Sequence, residues 1–192
     1  MEFRHLKPSE IKCRVKTSGI KKDSKGNKTA WTMLLLYKDA RCDMAILDET
    51  FGSENWQRKH EAIGNDLYCS VGVRVKRDDS YEWIWKQDCG TEGESGAEAE
   101  KSRASDSFKR ACINLGIGRE LYTSPSIFVY LKDNEYEERN GNICVSNKLF
   151  LHVTYIDYDE KGHIKSLVIR DRNNEMRFVY GDIDFSKIKE EN

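Results

Sequence analysis

Apolar and polar residues alternate most clearly along residues 65–77. The apolar positions there are Leu67, Cys69, Val71, Val73 and Val75. Alternation with a period of two is typical of a strand that has one face buried. The turn residues "DDS" follow at 78–80, and aromatic side chains then stand at alternate positions of residues 81–88. The pattern therefore predicts a long antiparallel hairpin.

A helical period governs residues 97–115, which follow this hairpin in the chain. The apolar residues that share one stripe are Ala104, Phe108, Ala111, Cys112 and Leu115. Asp106 and Arg110 lie on the opposite side, four residues apart, a spacing that stabilises a helix by about 0.3 kcal/mol. Lys109 lies on the flank between the two faces, and Gly116 is expected to end the helix.

Residues 38–52 predict another helix, earlier in the chain. Asp39 is a suitable N-cap residue, and Gly52 is a suitable stop. Apolar residues recur between them at helical spacing, at Met44, Leu47 and Phe51. The segment is therefore expected to bury one side.

The remaining segments predict strands and their connections. The expected strands are 28–37, 56–63, 126–131, 148–158, 163–170 and 175–180, of which the last three form a meander. The acidic stretch 132–142 is expected to be a polar connection. Helices grouped on one face of an antiparallel sheet define an α+β fold, and that is the class the sequence predicts.

The composition describes a polar but globular chain. Hydrophobic residues make up 38% and charged residues 34% of its 192 residues, which predicts one domain with an appendage at most. No apolar run approaches the roughly 20 residues of a membrane span. The start of the chain, "MEFRHLKPSE", lacks the apolar region of a secretory signal. We therefore expect a cytoplasmic protein without membrane contacts.

Motifs for several common chemistries are missing from the sequence. It has no G-x-x-x-x-G-K-[ST] loop for nucleotide phosphates and no G-x-S-x-G nucleophile turn. The six cysteines form no C-x-x-C pair, and the four histidines are scattered. Spacing of this kind favours reduced, buried thiols over a zinc or redox site. We expect no cofactor and no metal.

The near-neutral total charge conceals an asymmetry along the chain. Residues 1–41 contain eleven Lys or Arg against four Asp or Glu, so this segment carries +7 and the rest of the chain −8. A basic segment on an acidic body is able to form a local anion site that the net charge of −1 hides. On charge alone, a solvated surface explains the pattern equally well.

Four stretches in one order resemble the annealing domain of the Rad52-type single-strand annealing proteins, in their phage and bacterial (Sak-like) branch. They are "LDETFGSENWQ" (47–57), "LYCSVGVRVKRDDSYEW" (67–83), "DCGTEG" (88–93) and "EKSRASDSFKRACINLGIG" (100–118). Each motif is weak by itself, and the series covers roughly residues 8–125. The resemblance implies a β-β-β-α core that assembles into closed rings and anneals DNA without ATP or metal, hence not an enzyme.

The resemblance also implies which residues contact DNA. Lys109 and Arg110 match the lysine–arginine pair with which the family's helix binds DNA phosphates. "PSEIKCR" places Arg14 at the family's N-terminal arginine, with Lys12 and Lys16 as weaker neighbours. Arg41 corresponds to the arginine that precedes the family's first helix, although one residue of that motif is missing. The strand would then lie in a basic groove between the N-terminal segment and the helix ending at Leu115.

Several positions depart from the family's pattern. Ile113 stands where the helix can carry a third cation, and Asp66 replaces a lysine of a second, outer DNA site. The loop that carries another such lysine is acidic here, with Glu92 and Glu94. An outer site is therefore in question. Trp83 and Trp85 are expected to pack in the sheet or at a subunit interface rather than to stack on bases.

These expectations define a domain division and a set of partners. Residues 1–132 form the expected annealing core, and residues 133–192 a C-terminal β-rich extension without an assigned role. The expected partners are single-stranded DNA and further copies of the chain, with a single-strand binding protein or another recombination protein as a further candidate. A phage origin would place the protein in the cytoplasm of a bacterial host. The alternatives are a protein-docking module and a metal-dependent nuclease that uses acids such as those of "GDIDF" (181–185).

Overall fold

The structure, a computed structural model, describes residues 2–90, 97–183 and 185. Within them, the helices are α1 (Ala40–Phe51) and α2 (Ala97–Leu115). The strands are β1 (Lys12–Lys22), β2 (Lys28–Tyr37), β3 (Trp56–Ile63), β4 (Asp66–Arg77), β5 (Ser80–Cys89), β6 (Ile127–Tyr130), β7 (Tyr136–Arg139), β8 (Asn142–Val145), β9 (Leu151–Tyr158), β10 (Ile164–Asp171) and β11 (Met176–Tyr180). Every strand pair is antiparallel, which confirms the α+β prediction. Glu92, Glu94 and Asp184 lie outside the described residues.

The chain divides into two compact units that are interleaved in sequence. The first comprises Met1–His5 and Lys38–Arg119, and the second comprises Leu6–Tyr37 and Glu120–Asn192. The expected division at residue 132 was drawn from the family resemblance rather than from packing, and it stays a prediction. Among the described residues, no helix has the length and apolarity to cross a membrane.

The first unit is built on the sheet β3-β4-β5. Asp78 and Asp79 form the turn between β4 and β5, which confirms the predicted hairpin. The apolar face of β4 is fully buried at Cys69, Val71 and Val73. The stripe of α2 covers this face, and its members Phe108, Ala111 and Cys112 are also fully buried. The alternation of β4 and the helical period of α2 therefore meet in one core.

The ends of α1 follow the predicted capping residues. The side chain of Asp39 accepts hydrogen bonds from the backbone N–H groups of Arg41 and Cys42, as expected of an N-cap. Gly52 follows the helix with φ of +80°, a conformation that glycine adopts without a steric penalty. The buried side includes Ile46 and Leu47, so this helix also confirms its prediction.

The second unit is built on a six-stranded sheet in the order β11-β10-β9-β1-β2-β6. The C-terminal meander forms as predicted, and Lys12 on β1 pairs with His152 on β9, so the meander extends the sheet of the N-terminal strands. The prediction omitted β1, in which polar and apolar residues alternate only over 12–16 and most residues are exposed. Its hairpin with β2 contains a bulge at Lys16, which has no cross-strand partner.

The prediction of a polar connection at 132–142 is wrong. This stretch enters a small hairpin in which Tyr136 on β7 pairs with Val145 on β8. Asn140 and Gly141 form the turn with φ of +52° and +78°, the conformation for which an Asn-Gly pair is favoured. The acidic composition of β7 concealed it, since three of its four residues are exposed.

A buried arginine joins the two outer strands of the six-stranded sheet. Arg177 on β11 donates to the carbonyl oxygen of Tyr130 on β6 at 2.8 Å. The same guanidinium bonds both carboxylate oxygens of Glu135, at 2.7 and 2.8 Å, and reaches Asp171 at 3.1 Å. Only 5% of the Arg177 side chain is exposed. Bidentate, desolvated pairs of this kind are among the stronger polar contacts in proteins.

We expect Arg177→Met to lower the free energy of unfolding by about 2–3 kcal/mol, because Glu135 loses its bidentate guanidinium partner and Asp171 keeps only the longer contact with Lys132, at 3.4 Å. The hydrogen bond from Arg177 lowers the pKa of Glu135. Burial raises the pKa of Asp171, but its hydrogen bonds, including the one from Arg177, outweigh this effect, so the pKa is lowered. Groups with lowered pKa contribute stability above pH 4 and lose it as the pH falls. Urea unfolding is therefore expected to show that Arg177→Met loses less free energy of unfolding at pH 3.5 than at pH 7. An equal loss at both pH values would contradict the pairing of Arg177 with ionised carboxylates.

Candidate nucleic-acid interface

Outside its apolar stripe, α2 presents the cation pair Lys109, on the flank of the helix, and Arg110, on the side opposite the stripe. Burial of Phe108 and Ala111 on the sheet fixes the rotation of the helix, so the two residues between them reach its surface. The side chain of Lys109 is 27% exposed, and that of Arg110 is 40% exposed. Both cations are thus placed by packing and remain accessible to an anion.

Each of the two cations has a carboxylate close by. The Nζ of Lys109 lies 3.7 Å from Asp106, one turn earlier on α2. The Nε of Arg110 lies 3.2 Å from Asp88 at the end of β5. Asp88 also accepts a hydrogen bond from Asn114 at 3.1 Å. The sequence indicated Asp106 as a neighbour of the pair, but it gave no sign of Asp88, which is 22 residues from Arg110.

These ion pairs are of the kind that a phosphate can replace. A partly exposed pair contributes about 0–1 kcal/mol, because solvent screens it and both side chains lose freedom. A phosphate brings a full negative charge and several acceptor oxygens, and its binding releases condensed counterions. Asp88 and Asp106 therefore hold the Arg110 and Lys109 side chains in place without preventing exchange for a polyanion.

Arg41 belongs to the same unit as the cation pair. It is exposed in the first turn of α1, and its backbone N–H is held by Asp39. Asp43 in the same turn is fully buried and pairs with Lys38. Burial raises the pKa of Asp43 to about 6, and Lys38 and Lys109 act against this rise, so the first turn of α1 and the cation pair of α2 share one electrostatic environment.

The other three predicted contacts lie on β1, in the second unit. Lys12 and Arg14 are two residues apart and exposed, and Arg14 pairs across the sheet with Leu35. The guanidinium of Arg14 lies 5.9 Å from the ring centre of Tyr37, a distance that allows a cation–π contact. Lys16 is exposed at the bulge. The structure therefore groups Lys12, Arg14 and Lys16 separately from Arg41, Lys109 and Arg110.

The six cysteines form no disulfide bonds, and all but one are at least partly buried. Burial raises the pKa of Cys69 to about 11 and that of Cys13 to about 12, which suppresses the nucleophilic thiolate. The expectation of buried thiols fails for Cys144, which is exposed. Within residues 2–90, 97–183 and 185, no group of three His, Cys, Asp or Glu side chains is placed to hold a metal ion.

The sequence was compared with protein families and with curated proteins. Residues 4–140 match the Rad52/22 family double-strand break repair proteins, a family whose members act in DNA repair and recombination by single-strand annealing. The search of curated proteins finds no match. The family match covers well over half of the chain, and it includes β1, the hairpin β4–β5 and the cation pair of α2. The chain therefore belongs to the Rad52/22 family.

Proposed function

We propose that this chain binds single-stranded DNA and anneals complementary strands without ATP, as a homo-oligomeric ring. The observation that carries the proposal is the pair Lys109 and Arg110, accessible on a helix that belongs to the matched part of the chain. Arg41 adds a cation in the same unit, and Lys12, Arg14 and Lys16 add a second group on β1. None of this requires a bound metal or nucleotide.

The chemistry of these residues suits a protein that must not read sequence. Lysine and arginine bind phosphates, which carry no base identity, so the bases stay available to test a partner strand. The partner is then selected by base pairing alone. Annealing requires binding that does not depend on base sequence, because one protein must pair any two complementary strands.

A ring would give useful affinity from weak contacts. Each exposed cation contributes little, but the same cations repeated around a ring engage one strand many times. After the first contact, every further contact is intramolecular and has a high effective concentration. The ring then binds a long strand tightly, although each single phosphate contact still exchanges rapidly.

Binding of a labelled oligothymidylate is expected to weaken steeply as salt rises, with a logarithmic slope of about −0.7 for each phosphate contact. Fluorescence anisotropy across a salt series measures the slope, and mass photometry measures the oligomer. Annealing of complementary oligonucleotides should proceed equally with and without ATP. A monomeric protein that does not bind single-stranded DNA at low salt would contradict the proposal. DNA degradation that requires Mg²⁺ and stops with EDTA would indicate the nuclease alternative instead.

A further inference from the structure

One face of the sheet β3-β4-β5 carries large side chains that are exposed among the described residues. Helix α2 packs on the face formed by Cys69, Val71 and Val73. The opposite face carries Tyr81, Trp83 and Trp85, at alternate positions of β5. Their exposed fractions are 58%, 41% and 44%. We call Arg74, Lys76, Tyr81, Trp83 and Trp85 the aromatic face.

The two tryptophans of the aromatic face form a flat platform. A Cβ added to Gly72 would lie 2.8 Å from three separate ring atoms of Trp85, which means that this indole lies face down on the backbone of β4. Its other side points away from the sheet. The ring of Trp83 stacks beside it, with 6.0 Å between ring centres and 29° between ring planes. Side chains held in this way lose little further freedom when a planar ligand stacks on them.

Cations stand beside this platform. On β4, Arg74 pairs directly with Trp83 and Lys76 with Tyr81. The guanidinium of Arg74 lies 4.2 Å from the ring centre of Tyr81. Lys59 on β3 belongs to the same face, where Glu61 is 3.6 Å from it. The carboxylates of the β4–β5 turn follow beyond Lys76, so the positive charge is concentrated next to the indoles.

We propose that the aromatic face is a second contact for single-stranded DNA, in which unpaired bases stack on Trp83 and Trp85. This replaces the packing role that the sequence favoured for the two indoles, since both are exposed in the structure. Arg74 and Lys76 neutralise the phosphates that flank those bases. A positively charged surface with exposed aromatic rings is how proteins bind single strands without sequence preference. A duplex offers no free base faces, so the site selects unpaired DNA. The inference rests on the proposed function and adds a stacking contact to its phosphate contacts.

The stacking contact should be visible under conditions in which phosphate contacts fail. Salt weakens contacts to phosphates, whereas stacking persists. We expect Trp83→Ser with Trp85→Ser to weaken oligothymidylate binding about 25-fold or more at high salt, since each of the two stacked bases contributes a factor of about five or more. Trp83→Phe with Trp85→Phe keeps a stacking ring and should bind nearly as the wild type does. The matched control is Tyr122→Ser, which removes an aromatic side chain that is 72% exposed in the other unit.

A second measurement needs no variant and therefore no assumption about folding. Wild-type protein is irradiated with an oligonucleotide that carries 5-iododeoxyuridine, and the crosslinked peptides are identified by mass spectrometry. Crosslinks at Trp83 or Trp85 are expected. Crosslinks confined to other residues, or unchanged high-salt affinity in the serine variant, overturn the inference.

The outcomes separate this inference from the function on which it rests. Wild-type protein that binds no single strands at any salt concentration overturns both. Binding that depends on Lys109 and Arg110 but not on the two tryptophans overturns the stacking contact alone. If the serine variant changes the oligomer measured by mass photometry, the aromatic face is a contact between copies of the chain, and the inference is likewise overturned.

Discussion

Replacing Lys109 and Arg110 together by alanine is expected to abolish annealing of complementary oligonucleotides while the fold is retained. Both side chains are partly exposed, so their partly screened pairs with Asp106 and Asp88 contribute about 1 kcal/mol or less each to stability. Their loss from every copy in an oligomer, in contrast, removes a repeated phosphate contact, and the effect multiplies along the strand. Annealing is measured by fluorescence quenching between labelled complementary strands, and folding by circular dichroism and urea unfolding.

Two matched variants make this experiment specific. Lys161→Ala with Lys165→Ala removes the same charge from exposed positions of the C-terminal meander and should leave annealing unchanged. Asp88→Asn releases Arg110 from its carboxylate and should leave the affinity for single strands equal or raise it. If the lysine–arginine variant anneals at the wild-type rate, the cation pair is a solvated helix surface and the site assignment is wrong.

The elements with strong periodicity were predictable from the sequence. Strand β4 and both helices bury one face and leave the other more exposed, and burial is what creates the period in the sequence. In the meander the apolar content was the signal instead, since four consecutive residues of β10 are buried. β1 could not be found in this way, because Lys12–Lys22 is mostly exposed and interrupted by a bulge. The β7–β8 hairpin had a local signal in Asn140–Gly141, which acidic composition outweighed in the prediction.

The candidate site was predictable only in part. The resemblance to the family is what singles out Lys109 and Arg110, and the helical period adds only that both lie off the apolar stripe of the helix. It does not identify Asp88 as the partner of Arg110, because that contact joins a strand to a helix across the fold. The contact of Trp85 with Gly72 was not predicted for the same reason, since it is determined by the register between β4 and β5. Contacts between elements can be identified only from the tertiary structure, whereas the sequence pattern alone indicates which face of an element is buried.

Replacing Lys38 by methionine is expected to lower the free energy of unfolding by about 3–5 kcal/mol at neutral pH, the usual effect of removing one partner of a buried ion pair. Lys38 and Asp43 are 3% and 0% exposed, and their ammonium and carboxylate are in direct contact. The second oxygen of Asp43, Oδ2, has no hydrogen-bond partner among the described residues. Without Lys38, a carboxylate would remain in the core without its cation.

The pH dependence of this loss follows from the pKa of Asp43. Burial raises it to about 6, and Lys38 and Lys109 act in the opposite direction. The folded state thus holds a proton more tightly than the unfolded chain, whose aspartates titrate near pH 4. The contribution of Asp43 is therefore fully present below pH 4 and decreases as the pH rises through 6. Removal of Lys38 raises the folded pKa further, so the variant should lose much less stability at pH 5 than at pH 8.

A second replacement distinguishes a buried charge from lost packing. Lys38→Met combined with Asp43→Leu removes both charges, and replacing a whole buried pair by apolar side chains is often nearly neutral, so most of the stability should return. Lys59→Met breaks an exposed pair with Glu61 and should cost well under 1 kcal/mol. Urea unfolding at pH 5 and 8 measures all of these variants. A loss in Lys38→Met that is independent of pH, and that the double replacement does not reverse, would show that Lys38 acts through its packed methylene groups. In that case the first turn of α1, which carries Arg41, is held by apolar contacts rather than by charge.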